Sequence, residues 1–295
     1  MTRSLLTLAL IGLTFFTGIP RVNGSEPAAK QKFQGLLNEA SLALLKEGNT
    51  RFAADTPRHP NAGSARRAAT AAEGQEPFVT VLSCSDSRAP VELIFDRGVG
   101  EVFTVRVAGN VADTDEIATI EYGVGHLHTP LLVVLGHTRC GAVTAVVKGA
   151  ELHGSLPELV DNIKPAADRA KTATKDEKEL IPTAIKENVW QSISDILRHS
   201  EIIRGELANG NVSVVGGVYD LDTGKVEWLG EHPDQKTILA SAPSAEGPHD
   251  AGQKPDAHAL VQAKINPADA HAPANAVAAP PKALVEKTAD LHAAH

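Results

Sequence analysis

The sequence has no basic stripe, no internal repeat and no hydrophobic run long enough to span a bilayer. Its net charge is −8, so no cationic surface of the kind that follows phosphates is expected, and nucleic acid is not an expected partner. The apolar run at residues 5–16 is shorter than the roughly 20 residues of a transmembrane helix. No cysteine follows that run, which disfavours a lipoprotein. The 295 residues, 42% of them hydrophobic, suffice for one large domain or two small ones.

The amino-terminal residues resemble an export signal. Arg3 supplies a positive charge, residues 5–16 are apolar, and residues 22–24 (Val-Asn-Gly) are compatible with a cleavage site. We therefore predict a signal peptide at residues 1–24, a periplasmic or secreted protein, and no stable membrane insertion after cleavage. A membrane anchor or a buried amino-terminal helix is the alternative.

Short apolar runs alternate with helical patterns through the middle of the chain, which predicts an α/β fold with a mainly parallel central sheet flanked by helices. The predicted strands are residues 78–82, 102–107, 131–135 and 212–218, with a closing hairpin to residues 226–228. Helices are predicted at residues 33–52, 90–95, 115–127 and 142–147, and within residues 176–207. Gly48-Asn49 is expected to weaken or end the first helix, and residues 56–76 to form an irregular connection. The predicted folded domain is residues 25–230.

Residues 231–295 contain no Phe, Tyr or Trp, but eight of the 18 prolines and six of the 12 histidines. Such a segment buries too little apolar area to offset its ordering entropy, so we predict a disordered tail. Its histidines suggest a zinc-buffering envelope protein as one alternative function. They are scattered, however, which favours an ordinary solvated linker.

Two clusters of polar residues each follow a predicted strand, where α/β folds place reactive groups. The first contains Cys84, Asp86 and Arg88, and the second contains His137 and Cys140. Thiolate and imidazole suit zinc, and a carboxylate can complete a tetrahedron. An Arg88–Asp86 pair would hold the carboxylate off the metal and steady a bound anion.

The residues alone leave three possibilities for these clusters. They can form a catalytic zinc site with a water in the fourth position, or a closed structural site with Asp86 as the fourth ligand. In an oxidising compartment, Cys84 and Cys140, the two cysteines of the chain, can instead form a disulfide.

The motifs at these positions resemble those of the β-class carbonic anhydrases. The matching segments are Cys-Ser-Asp-Ser-Arg at residues 84–88, Arg-Val-Ala-Gly-Asn at 106–110, Ile-Glu-Tyr at 120–122, Gly-His-Thr-Arg-Cys-Gly-Ala at 136–142 and Glu-Gly-Asn-Thr-Arg-Phe at 47–52. The resemblance covers residues 33–230 and implies that fold, with one Zn²⁺ per chain bound by Cys84, His137 and Cys140. The fourth ligand is then water or Asp86.

The resemblance also implies roles for residues around the metal. Asp86 and Arg88 would form a catalytic dyad, and His126 would act as a proton shuttle. Four further residues match substrate-binding positions: Gln75, Phe103, Tyr122 and Gly141. For Phe103 and Tyr122 core packing is the alternative, and for His126 a surface position.

The implied activity is the reversible hydration of CO₂ to bicarbonate and a proton in a homodimer or a higher homo-oligomer. A carbonyl sulfide or carbon disulfide hydrolase on the same fold is an alternative. Members with an allosteric bicarbonate pocket carry tryptophan three residues before the first cysteine, where this chain has Val81. We therefore expect the plant-like type.

Overall fold

The structure, a computed structural model, describes residues 26–241, with side chains described from residue 31. The predicted signal peptide at residues 1–24 lies outside the described residues, as do residues 242–295 of the predicted tail. Within residues 26–241, no helix combines the length and hydropathy needed to cross a membrane.

A five-stranded sheet in the order β2-β1-β3-β4-β5 forms the centre of the described chain. Its strands are β1 (Val79–Cys84), β2 (Val102–Val107), β3 (Leu131–His137), β4 (Ser213–Tyr219) and β5 (Val226–Gly230). The first four are parallel and β5 is antiparallel to β4, which confirms the predicted fold class and hairpin.

Ten helices occur within residues 26–241. They are α1 (Glu26–Ala53), α2 (Ser64–Glu73), α3 (Val91–Ile94), α4 (Thr114–Glu121), α5 (Gly141–Lys148), α6 (Leu156–Asp161), α7 (Lys164–Ala173), α8 (Glu177–His199), α9 (Glu201–Ala208) and α10 (Gln235–Ser241). A 3₁₀ turn at Ala108–Asn110 follows β2, and a π-helical turn at Tyr122–His126 extends α4.

Helices cover both faces of the sheet. Every residue of β1 and β3 is buried, as expected for near-continuous apolar strands in a parallel sheet. One face packs against α4, α5, α7 and α8, and the other against α1 and α3. Because β1 and β3 are neighbours and parallel, Cys84 and His137 lie at the same edge of the sheet.

The prediction that Gly48-Asn49 weakens or ends the first helix is wrong, since α1 continues to Ala53. A Cβ on Gly48 would lie 1.8 Å from the Phe95 carbonyl oxygen, so glycine permits a close approach between α1 and the end of α3. The Asn49 amide donates to the carbonyls of Ile94 and Gly224. These two residues therefore mark a helix contact.

Two further predictions of irregular structure are wrong in part. Residues 56–76 contain α2, which has no buried residue and so carries no core-facing apolar pattern. The tail predicted to be disordered from residue 231 begins with ordered chain, because α10 packs Ile238 against the core with 4% of its surface exposed. The domain extends at least to residue 241, and disorder of residues 242–295 stays a prediction.

Docking of α10 is expected to weaken in acid. His232 Nε2 lies 3.1 Å from Ser194 Oγ, and Nδ1 accepts the Asp234 amide at 3.0 Å. Burial lowers the pKa of His232 below its usual 6.5. The undocked segment therefore binds the proton more readily, so docking is favoured above pH 6.5 and loses free energy as the pH falls below that value. Hydrogen exchange of the α10 amides, corrected for intrinsic rates, should show less protection at pH 5 than at pH 7.5.

The variant His232→Gln provides the control for this pH dependence. Glutamine does not titrate, so protection of the α10 amides should then be the same at both pH values. An unchanged pH dependence in the variant would assign the effect to another group.

Asp96 connects α1, α3 and the chain that follows α1. Its buried carboxylate accepts from Arg51 Nε at 2.6 Å and from the amides of Arg58 and His59 at 3.0 and 2.8 Å. Removing one partner of a buried pair leaves the other charge uncompensated. Asp96→Ala should lower the free energy of unfolding by about 3 kcal/mol in urea titrations. Asp161→Ala, which breaks an exposed pair with Lys164, should change it by less than about 1 kcal/mol.

Candidate metal centre

Three side chains that are separated in sequence meet at the carboxyl edge of the sheet. Cys84 ends β1, His137 ends β3, and Cys140 immediately precedes α5. One ligand atom from each lies within 4.8 Å of the other two, and all three residues are buried. The strand neighbours Ser83 and Leu135 are paired in register, which brings the two clusters predicted from the sequence together.

The imidazole of His137 is oriented as a metal ligand would be. Nδ1 donates to the Thr138 carbonyl at 3.0 Å, so the neutral ring carries its proton there and Nε2 offers a lone pair. Nε2 is buried and has no hydrogen-bond partner within residues 26–241. A buried, unpaired imidazole nitrogen is unfavourable unless a cation occupies the space next to it.

Both cysteines are free thiols, so the disulfide considered from the sequence is not formed. A hydrogen bond from Cys140 lowers the pKa of Cys84 to about 4, against burial and with help from His137 and the Gly109 amide. The same bond and burial raise the pKa of Cys140. A divalent cation that binds both sulfurs displaces the protons that they carry.

Asp86 lies beside these ligand atoms but is held by Arg88. The guanidinium donates from Nε to Oδ1 at 2.9 Å and from a terminal nitrogen to Oδ2 at 2.7 Å, and the Arg88 amide adds a third bond to Oδ1. These bonds keep the pKa of Asp86 well below its usual range. Asp86 Oδ2 is 3.8 Å from His137 Nε2. The carboxylate is therefore adjacent to the metal cluster and ionised.

Two residues without a role predicted from the sequence support this geometry. Arg106 donates from Nε to the Cys84 carbonyl at 3.0 Å and from a terminal nitrogen to the Asp86 carbonyl at 2.6 Å. The Gly109 amide donates to Cys84 Sγ at 3.3 Å. Both belong to the segment at residues 106–110 that resembles the family, and this resemblance is the signal in the sequence that points to them.

Several predicted substrate residues lie elsewhere in the same chain. Phe103 pairs with Thr80, four residues before Cys84, or about 13 Å along the strand. Its ring centroid is 5.8 Å from that of Tyr122, which is 4.7 Å from that of His126. These three rings form an aromatic cluster near the amino end of the sheet.

The two remaining predicted substrate residues differ in position. Gly141 follows Cys140 and is exposed at the start of α5, and a Cβ there would meet nothing within 4 Å. Gln75 is exposed on the connection between α2 and β1, without a side-chain hydrogen bond in the described part of the chain. One chain thus gathers Cys84, Asp86, Arg88, His137, Cys140 and Gly141, and leaves the aromatic cluster apart.

Comparison with known proteins identifies relatives over the described domain. The family model described as carbonic anhydrase matches residues 79–226. Carbonic anhydrase 2 of Mycobacterium tuberculosis is 37% identical over 188 residues, which are 63% of this chain and 90% of that protein. The carbonic anhydrase of Mycolicibacterium smegmatis is 37% identical over 195 residues, which are 64% of this chain and 91% of that protein.

Solved structures show the same architecture. A tetrameric β-carbonic anhydrase of Sordaria macrospora is 29% identical with a TM-score of 0.52, over 57% of this chain and 87% of that one. A β-carbonic anhydrase of Aspergillus fumigatus is 28% identical with a TM-score of 0.53, over 59% of this chain and 87% of that one. The family match, the relatives and the Cys-His-Cys cluster agree, and the chain belongs to the β-class carbonic anhydrase family.

Proposed function

We propose that the protein catalyses the zinc-dependent, reversible hydration of CO₂ to bicarbonate and a proton. The observation that carries this proposal is the unpaired, buried Nε2 of His137 beside two free cysteine sulfurs, all within 4.8 Å. Tetrahedral zinc with two sulfurs and one nitrogen needs ligand atoms about 3.5–3.8 Å apart. Cys84, His137 and Cys140 place their ligand atoms within 4.8 Å of one another, which is compatible with that spacing.

The donor set balances the charge of the ion. Two thiolates and a neutral imidazole neutralise Zn²⁺, and Arg88 compensates Asp86, so the buried centre carries no net charge. Bound zinc would supply the Lewis acidity that makes water a nucleophile near neutral pH.

Asp86 and Arg88 would keep one position at the metal accessible. While the guanidinium holds both carboxylate oxygens, Asp86 can accept a hydrogen bond at the edge of the ligand cluster without joining it. Arg88 is half-exposed and keeps further N–H donors, so it can also steady the bicarbonate product. The exposed Gly141 amide, at the start of α5, is a second donor suited to that anion.

The aromatic cluster would complete the site only in a homo-oligomer. Phe103, Tyr122 and His126 lie about 13 Å along the sheet from their own Cys84, so within one chain they do not reach the reacting atoms. A second copy can bring them, together with the exposed Gln75, to the metal centre of the first. The relatives from Sordaria macrospora are described as tetrameric. Sedimentation should show a dimer or larger, and a fully active monomer would contradict this arrangement.

Export to the periplasm or the medium stays part of the proposal, and it rests on residues 1–24. Amino-terminal sequencing of the mature protein should begin near residue 25. A mature protein that retains Arg3 would contradict it.

Stopped-flow CO₂ hydration on purified protein of known zinc content tests the proposed activity. We expect one zinc per chain and turnover proportional to zinc content. Zinc-loaded protein that does not hydrate CO₂ would contradict the proposal, and hydrolysis of carbonyl sulfide or carbon disulfide by that protein would assign it to those gases instead.

A further inference from the structure

Helix α8 provides no predicted ligand, yet two of its buried polar side chains bond to the turn beside the metal centre. Asn188 Nδ2 donates to the Gly109 carbonyl at 2.7 Å. Ser192 Oγ lies 2.8 Å from the Asn110 carbonyl and 3.0 Å from the Asn188 carbonyl. Asn188 and Ser192 are each 1% exposed, so these bonds are sheltered from water.

The turn that these side chains hold is strained and closely packed. Gly109 has φ 73° and Asn110 has φ 47°, two successive left-handed residues. A left-handed non-glycine residue is unfavourable and persists where its surroundings hold it. A Cβ on Gly109 would lie 2.7 Å from Ile163 Cδ1 and 3.2 Å from Ala142 Cβ. The turn therefore has one well-defined position, between α5 and the residue that precedes α7.

That position aims a backbone donor at a metal ligand. The Gly109 amide donates to Cys84 Sγ at 3.3 Å, and the carbonyl of the same residue accepts from Asn188. Because the two groups lie on either side of one residue, fixing the carbonyl restricts where the amide points. A donor to a coordinated thiolate withdraws negative charge from sulfur, so the metal keeps more of its Lewis acidity.

We propose that Asn188 and Ser192 are positioning residues that hold the Ala108–Asn110 turn so that the Gly109 amide bonds to the Cys84 thiolate and thereby tunes the metal. The proposal rests on the proposed zinc site. It assigns to two residues of α8, both more than 100 positions after Cys84, control of how much charge one sulfur gives to the ion.

Unsatisfied polar atoms support a specific role for Asn188. Its Oδ1 is buried without a hydrogen-bond partner in the described residues, and so is Asn110 Nδ2. A buried oxygen without a partner is unfavourable, and an apolar side chain of similar size would remove it. The bond from Asn188 Nδ2 to the Gly109 carbonyl is therefore the contact that favours asparagine over an apolar residue at this position.

Cobalt replaces zinc in the full-length protein for the test, because the thiolate-to-cobalt charge-transfer band reports electron density on sulfur. In Ser192→Ala and Asn188→Ala, the hydrogen bond from the Gly109 amide to Cys84 Sγ should weaken or be lost. The sulfur then keeps more electron density, so the charge-transfer band should move to longer wavelength. In the zinc-loaded variants, kcat should fall about tenfold.

The matched control is Ser194→Ala, which removes a buried hydroxyl two residues away that bonds to His232 instead. It should leave the band and kcat unchanged.

The positioning role would be overturned if Ser192→Ala and Asn188→Ala kept the wild-type band position with cobalt and the wild-type turnover with zinc. That result would count even if both variants were less stable. An equal shift in Ser194→Ala would overturn it too. If Asn188→Ala does not fold, Ser192→Ala decides alone. A wild-type protein that binds no cobalt and no zinc would contradict the proposed function and this inference together, whereas unchanged bands with normal metal binding would contradict this inference only.

Discussion

Replacing His137 by asparagine is expected to remove zinc and to lower kcat/KM for CO₂ hydration by at least about a thousand-fold, or about 4 kcal/mol of transition-state stabilisation. Asparagine is shorter and offers a poor zinc ligand, so the two sulfurs alone would have to hold the ion. His137 is buried at the end of β3, and no other histidine joins Cys84 and Cys140 in the cluster found within the described residues. Metal content by mass spectrometry and stopped-flow hydration measure the two effects.

His153→Asn is the matched control for that experiment, because the same chemical change falls on an exposed residue between α5 and α6. We expect zinc content and turnover to remain those of the wild type. Full zinc content and activity in His137→Asn would show that the imidazole is not a ligand, and the proposed centre would be wrong.

Arg88→Ala is expected to lower turnover by about a hundred-fold or more while zinc stays bound. The three ligands are untouched, but Asp86 loses both side-chain donors that hold its oxygens. The freed carboxylate lies 3.8 Å from His137 Nε2 and can close the fourth position. The bicarbonate product would also lose the cationic partner proposed for it. Zinc content and stopped-flow turnover on one preparation separate this effect from loss of metal.

Arg169→Ala is a suitable comparison for Arg88→Ala. Arg169 is similarly exposed and forms an ion pair with Glu187 at 2.7 Å, between α7 and α8. Its removal should leave turnover unchanged. If Arg88→Ala retained full activity with zinc bound, the role assigned to the Asp86–Arg88 pair would be refuted.

The sequence predicted the parts of the fold that depend on local pattern. The run at residues 102–107 coincides with β2, and the other strand predictions are within two residues of β1, β3 and β4 at each end. Strands β1, β3 and β4 are buried along almost their whole length, so most of their positions are apolar and the signal is strong. The proximity of Cys84 to His137 and Cys140 could also be predicted, because each cluster follows a strand and parallel strands end at one edge of the sheet.

Two of the three failures of prediction share a physical cause, which is packing between segments far apart in sequence. Gly48-Asn49 indicates a helix end locally, but here it serves a contact with α3. Ile238 anchors α10 in a segment whose overall composition indicates disorder. For α2 a local signal existed, since residues 64–73 contain no glycine or proline and are rich in alanine.

The spacing of residues in the sequence does not predict the geometry around the metal ligands. The bond from His137 Nδ1 to the Thr138 carbonyl, which fixes the tautomer, and the bond from the Gly109 amide to Cys84 Sγ depend on backbone orientation at turns. The separation of Phe103 from Cys84 follows from strand register. A motif gives the order of residues along the chain. Whether a residue contributes to the metal centre of its own chain or to that of a second copy depends on the assembly.

X-ray absorption at the zinc K-edge of the purified protein tests the central claim most directly, because it counts the atoms bound to the metal. We predict one zinc per chain with two sulfurs at about 2.3 Å and two nitrogen or oxygen atoms at about 2.0–2.1 Å. A coordination shell without sulfur, or a protein in which Cys84 and Cys140 are joined as a disulfide and no zinc is bound, would contradict it.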